Sequence, residues 1–470
     1  MKRLLVILAV LVVLVILGVT LFLATFNADR YRPLLVSKLQ GSIGRPVSLE
    51  RLSLGWRNGI AVQLQGLAIA EDAQAGREPL IHVDSASAIV RLLPLLRKDV
   101  QVASIVLERP RIHVARDANG RINLLGLAAV GAPAASGRTA RVGEAAVSFN
   151  IASLRIEDGV LHWTDAFTKP PADLWIKKLD VAVRNIAPGR PMDLDVKGSL
   201  AAEVPNLRVR GRFTPPSGTQ PGSVEHGTLT IESLPLERLL PSAPPGEPQL
   251  QGKLTLTVQG GAKTLEPSEV ARSISGTGTL KLDEPKVVNL NVLRVVFERI
   301  SMLPGLVQTL EARLPPAYQA KLTATDTILK PIALSVQVED GTLRFDDLRV
   351  RTETFGLNGT GRVDLDGTVG PHTFLTVGVN IRATLVIDPA LSAALIEGVK
   401  ELQALTNADG EMEIPLAIQG QAPQVAVLPD LNYLATKLIV TKARNLLGTF
   451  LEKALEKNLR SREPTQSPGP

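Results

Sequence analysis

The sequence contains no cysteine, which excludes disulfides, thiolate metal sites and thiol nucleophiles together. Any fold must be held by burial. Aromatic residues make up 3% of a chain that is 45% hydrophobic, so its apolar surface is nearly all Leu, Val, Ile and Ala and carries few polar handles. The five histidines, His82, His113, His162, His226 and His372, lie far apart along the chain, and none stands in an HxxH or HExxH spacing that would mark a zinc or iron site. No Gly-x-Ser-x-Gly nucleophile elbow occurs. Gly260-Gly-Ala-Lys-Thr264 lacks the leading glycine and spacing of a phosphate loop and reads as a hairpin turn. Gly276-Thr-Gly278 and the glycines between Gly356 and Gly361 precede alternating strand residues where a dinucleotide site needs a helix, so they read as bends in a sheet. Asp346-Asp347, between Phe345 and Leu348, reads as a bulge. No catalytic, cofactor-binding or metal-binding residue is assigned, and an enzyme is not expected. With 52 basic and 46 acidic residues the net charge is +6, but the charges are scattered singly, which argues against nucleic acid as a partner.

One long hydrophobic run is present. From Leu4 through Leu14 to Phe26 no residue is charged, and Lys2-Arg3 precede the run. At about 1.5 Å per residue it spans roughly 35 Å as a helix, enough for a hydrocarbon core of about 30 Å. A cleaved signal peptide has a shorter apolar core and a small-x-small cleavage site, which Phe26-Asn27-Ala28 does not supply. An uncleaved membrane anchor with a cytoplasmic N-terminus is therefore expected over residues 1–28, with the bulk outside.

The rest is dominated by alternation of apolar and polar residues, the period of a strand with one dry face. Leu254, Leu256 and Val258 alternate with threonines, and Leu375, Val377, Val379 and Ile381 alternate with Thr376, Gly378, Asn380 and Arg382. Ile60-Ala-Val-Gln-Leu64 and Leu179-Asp-Val-Ala-Val183 follow the same rule. Turn signals at Glu157-Asp-Gly159, Glu339-Asp-Gly341 and Asp366-Gly367 suggest antiparallel meanders. Helical patterns are few: Asp29 to Ile43, Val287 to Leu314 with a break at Pro304-Gly305, Pro389 to Leu405, and Asp430 to Arg460. The last is amphipathic and reads either as a cap on the sheet's open end or as a membrane-surface helix. Pro/Gly-rich stretches at 131–143 and 241–249 divide the chain into units at 29–130, 144–240 and 250–460, with a disordered tail at 461–470.

About twenty one-sided strands and few helices leave an aliphatic face to hide. The sheet either closes on itself or curls into a trough whose dry interior suits acyl chains. Val62, Leu64, Val181, Val183, Leu254, Leu256, Val258, Leu375, Val377, Val379 and Ile381 are the candidate lining positions.

Asn27-Ala-Asp-Arg-Tyr-Arg-Pro33 with Gly44-Arg-Pro-Val47, the stretch from Val83 to Leu96, Val102 to Val114 and Asp117 to Asn123 resemble the AsmA family of bacterial envelope proteins. Leu154 to Trp163 and Val338 to Phe345 resemble both the family's strand-turn-strand unit and each other. The resemblance implies a mainly β protein: an inner-membrane anchor, a chorein-like start and an elongated, curled antiparallel sheet forming a periplasmic β-groove, with few helices, notably at the C-terminus. It also implies phospholipid transport and outer-membrane integrity, with the inner membrane, phospholipid acyl chains and an outer-membrane or periplasmic protein as partners. The alternative is an assembly or scaffold factor for outer-membrane proteins that carries no lipid. Twenty strands about 4.8 Å apart give at most roughly 95 Å of groove before twist.

Overall fold

The computed structural model describes residues 27–56, 60–70, 79–90, 102–118, 122–123, 152–166, 171–186, 189–216, 220–239, 246–266, 269–299, 305–365, 377–421 and 424–438. The expected anchor with Leu4, Leu14 and Phe26 lies outside the described residues, as do Leu375, the Asp366-Gly367 turn and the chain after 438. Among the described residues no helix is long and apolar enough to cross a membrane.

The chain is mainly β, and its strands form one large, curled, open sheet. In order they are β1 (Val47–Ser48), β2 (Arg51–Trp56), β3 (Ile60–Ile69), β4 (Ile81–Val90), β5 (Val102–Arg116), β6 (Ser153–Asp165), β7 (Ala172–Arg184), β8 (Met192–Leu200), β9 (Leu207–Thr214) and β10 (Ser223–Pro235). There follow β11 (Gln249–Ala262), β12 (Ile274–Val288), β13 (Thr327–Ile328), β14 (Ile332–Glu339), β15 (Thr342–Arg351), β16 (Phe355–Leu365), β17 (Val377–Ile387), β18 (Met412–Gln421) and β19 (Gln424–Pro429). Each strand pairs with its successor, except that β1 pairs with β3, and the long β12 takes both β13 and β14. The described edges are β1 with β2 on one side and β19 on the other.

The antiparallel expectation holds for every pair of these strands but one. β5 and β6 run parallel, in register from Ser104↔Ser153 to Arg116↔Asp165. A parallel pair needs a long crossover, and 36 residues separate the two strands (117–152). The sheet continues across this junction and, through the β10–β11 pair, across 241–248.

The two Glu-Asp-Gly signals are used differently. Glu339-Asp-Gly341 makes the expected hairpin: Asp340 and Gly341 have φ of 46° and 75°, and Glu339 pairs with Thr342. Glu157-Asp-Gly159 is not a turn but a bulge inside β6, with Asp158 at φ 52° and the register shifting between Ile156 and Gly159. Asp346-Asp347 is the expected bulge in β15. Gly260 to Ala262 do not turn; they end β11, paired with Gly276, Ser275 and Ile274.

Apart from single turns at Leu236–Leu239 and Val270–Ser273, the helices of the described residues gather at two places. A helix at Arg32–Ile43 follows a short 3-10 turn, with Gly44 closing it in the left-handed conformation at φ 71°. The other group comprises Val292–Glu298, Leu306–Arg313, Pro316–Thr323, Pro389–Gly398, the 3-10 turn Lys400–Leu405 and a helix at 431–438. The expected helix from Val287 starts only at Val292, because Val287 and Val288 still pair in β12, and Pro316–Thr323 was not anticipated. Two polar caps fix this group. The Asn291 side chain accepts from Arg294 N and donates to the carbonyls of Lys321, Leu322 and Ala324, and Asp388 accepts from Leu391 N ahead of Pro389.

Candidate functional site

Residues directly paired across a sheet share a face, so the register converts single alternating strands into rows. One row runs from β2 to β14 through Leu52, Leu64, Ala86, Leu107, Ile156 and Val181. It continues through Val196, Val209, Leu229, Val258, Gly278 and Val336. The row beside it starts at Leu54, Val62, Ala88, Ile105, Leu154 and Val183, and then passes Leu194 and four glycines, Gly211, Gly227, Gly260 and Gly276. It ends through Val338, Leu343, Val363, Val379, Gly420 and Val425 at β19. Neither row contains a polar side chain. At about 4.8 Å per strand, sixteen steps carry the second row roughly 77 Å before twist. The row on the opposite face is mostly polar, with Gln63, Ser87, Asp195, Arg210, Gln259 and Arg344 among its members, and is interrupted by Val106 and Ala182.

Burial varies along the aliphatic rows. Leu107, Ile156, Val181, Val196, Val209, Leu229 and Val258 are all half-buried, whereas Leu52 and Ala86 at one end and Val336 and Val338 at β14 are buried. Of the candidate lining positions, Val181, Val183, Leu254, Leu256, Val258, Val379 and Ile381 lie on this face and are half-buried. Val377 begins β17 opposite Leu365, and Leu375 lies outside the described residues. Val62 and Leu64 also lie on this face, but the helix Arg32–Ile43 covers them: Leu35 and Val36 join Ala28, Leu49, Leu52, Leu54 and Leu67 in one cluster. That helix is tied to the sheet edge, where Leu52 N donates to Asp29 Oδ1 at 3.0 Å and Arg32 donates to the Glu50 carbonyl at 2.6 Å.

At the far end the same face is closed. Leu385, Ile387, Ile414 and Leu416 of β17 and β18 pack against Phe297, Leu310, Leu391, Leu395 and Leu402 of the helical group, none more than 4% exposed. The described part of the C-terminal helix joins this cluster through Leu434 and Leu438.

An open aliphatic face with a short helix at its edge is the arrangement implied by the likeness of the first strands. Residues 1–181 match the model of the AsmA family. The likeness to that family covers 181 of the 470 residues. The match reaches into β7, and the aliphatic rows continue well past the AsmA-matched stretch to β19. No curated protein matches the chain.

A second constellation, on the polar face, is absent from the sequence reading. The parallel β5–β6 pair brings His113 and His162, 49 positions apart, into register with ring centroids 4.9 Å apart. His162 in turn stacks on Trp175 of β7 at 3.7 Å. His113 Nε2 meets Thr164 Oγ1 at 3.1 Å, and His162 Nε2 meets Asp173 Oδ1 at 2.9 Å. Among the described residues no group of His, Asp and Glu is placed to hold a metal ion.

Proposed function

We propose that this protein is a membrane-tethered, non-enzymatic envelope protein that binds phospholipid acyl chains along its aliphatic face and supports phospholipid movement and outer-membrane integrity. The observation that carries this reading is the pair of continuous aliphatic rows, half-buried from β5 to β11. A face of Leu, Val, Ile, Ala and Gly, exposed over many strands, is costly in water, because each square ångström of apolar surface left wet forfeits about 25 cal/mol. Acyl chains would cover it without requiring polar partners. The likeness of residues 1–181 to the AsmA family and the uncharged run at Leu4 to Phe26 support an inner-membrane tether with a periplasmic body.

The test is mass spectrometry of lipids extracted from the full-length protein after detergent exchange. Several phospholipids per chain, reduced in Val258→Asp, are expected. A folded but lipid-free protein would overturn the reading in favour of an assembly factor acting through protein contacts. The closed helical end is the one feature that favours this second role, since a packed core offers no lipid path there.

A further inference from the structure

We propose that the polar face carries a saccharide site, distinct from the lipid face, with Trp175 as its platform. The stack His113, His162, Trp175 climbs across three neighbouring strands, one ring per strand. On the next strand side the ring gives way to a small residue: Ala201, just past the end of β8, donates its backbone N–H to the Trp175 carbonyl. The stack therefore stops with one indole face supported by His162 and the side chain 43% exposed. A cleft of about 440 Å³ opens there over Ala201 and Ala202. Its volume is that of a small-ligand site.

The groups around the cleft select the ligand. Asp173 and Glu203 supply carboxylates and Lys177 and Arg238 supply cations, all four lining the cleft. Ser199 lines it too. It is 1% exposed, and its Oγ has no hydrogen-bond partner, so it is a buried hydroxyl that a ligand would satisfy. A rim of both signs does not favour a phosphate or a carboxylate, which would meet Asp173 and Glu203. It matches a ring of hydroxyls that donate and accept in turn. A pyranose supplies those hydroxyls at its edge and an apolar C–H face to lie on the indole, where the weak C–H contacts to the π face are favourable.

The full chain, held in a zwitterionic detergent free of sugar headgroups, is titrated with N,N′-diacetylchitobiose and read by saturation-transfer NMR. Saturation is expected on the pyranose C–H protons. It should be lost in Trp175→Ala and weakened about tenfold in Ser199→Ala, the loss expected for one hydrogen bond to a buried hydroxyl. Ala202→Phe fills the slot while leaving Trp175 on its stack, and it should also abolish transfer with an unchanged circular dichroism spectrum. This keeps the test decisive if Trp175→Ala misfolds. No transfer to the sugar, transfer that survives Ala202→Phe, or transfer to indole-3-acetamide in place of the sugar would each overturn the proposal.

Discussion

Strand β17 carries the contrast between the two regions of the molecule within a single face. Val379 and Ile381 are half-buried, whereas Ala383, Leu385 and Ile387, on the same side and only a few residues further on, are 6%, 0% and 0% exposed. Their chemistry is the same, and so is their alternation. What differs is what lies above them: the helices around Phe297, Leu310 and Leu395 cover Leu385 and Ile387, and no described element is packed in that cluster against Val379 and Ile381. A fully buried Leu or Ile contributes about 1.5–3 kcal/mol through burial. The closed end collects that stabilisation within the protein, while the open rows collect it in full only when an apolar guest is present. One strand thus carries a closed core segment and an open segment, and the proposed function makes the second a lining.

The strongest way to break the comparison is to place a charge on each half. Leu385→Asp buries an unpaired carboxylate and should destabilise by about 4 kcal/mol or prevent folding, seen as a lowered or absent denaturant transition. Val258→Asp, on the open row, should cost only about 1 kcal/mol and yet sharply reduce bound phospholipid. Equal destabilisation by the two changes would mean that the rows are packed as tightly as the helical end.

The glycine row sharpens it next. At Gly260 a Cβ would stand 2.2 Å from the Ser275 carbonyl oxygen, and at Gly276 2.3 Å from that of Gln259. The two backbones can pair at this row because neither residue carries a side chain, which leaves the floor of the open face bare across β9 to β12. Gly260→Val should therefore disrupt β11–β12 pairing and cost about 2 kcal/mol. Gly378→Ala, whose nearest contact is Asp364 Cβ at 3.7 Å, should be nearly neutral. Thermal unfolding of the two variants side by side checks the difference.

Much of this was legible from period-two alternation: the β class, most strands, the hairpin at Glu339-Asp-Gly341 and the helix at Pro389. The aliphatic positions were legible one strand at a time, because alternation is local. Their union into rows was not, since register depends on bulges such as Asp158 and on the parallel β5–β6 pair, which no short-range signal announces. For the same reason His113 and His162 read as separate strand histidines. The split of β17 into open and closed halves was also hidden, because it is decided by helices that return from elsewhere in the chain. The helix Pro316–Thr323 in particular starts at the second residue of the Pro315-Pro316 pair, where proline is compatible with a first turn, beyond the helical pattern that ends at Leu314.

The smallest expected effect separates the two regions by pH. Asp326 sits where the chain returns from the helical end to the sheet, bonded to Lys286 Nζ at 2.7 Å and accepting from Asn289 N at 3.0 Å. The Lys286 ammonium, followed by the Asn289 amide, holds its carboxyl below the ordinary carboxylate range. A carboxylate depressed in the folded state stabilises it above the unfolded-state value, and that contribution is lost as pH falls through the folded-state value. The closed end should therefore weaken only below about pH 4, and Asp326→Asn should remove this part of the acid sensitivity while leaving neutral-pH lipid content unchanged. Hydrogen exchange at Leu385 and at Val209, followed from pH 6 to pH 3, would report the two regions separately. Opening at Val209 that tracked Leu385 would show that the helical end holds the open rows in shape, whereas opening confined to Leu385 would show that the sheet keeps its curl by register and glycine alone.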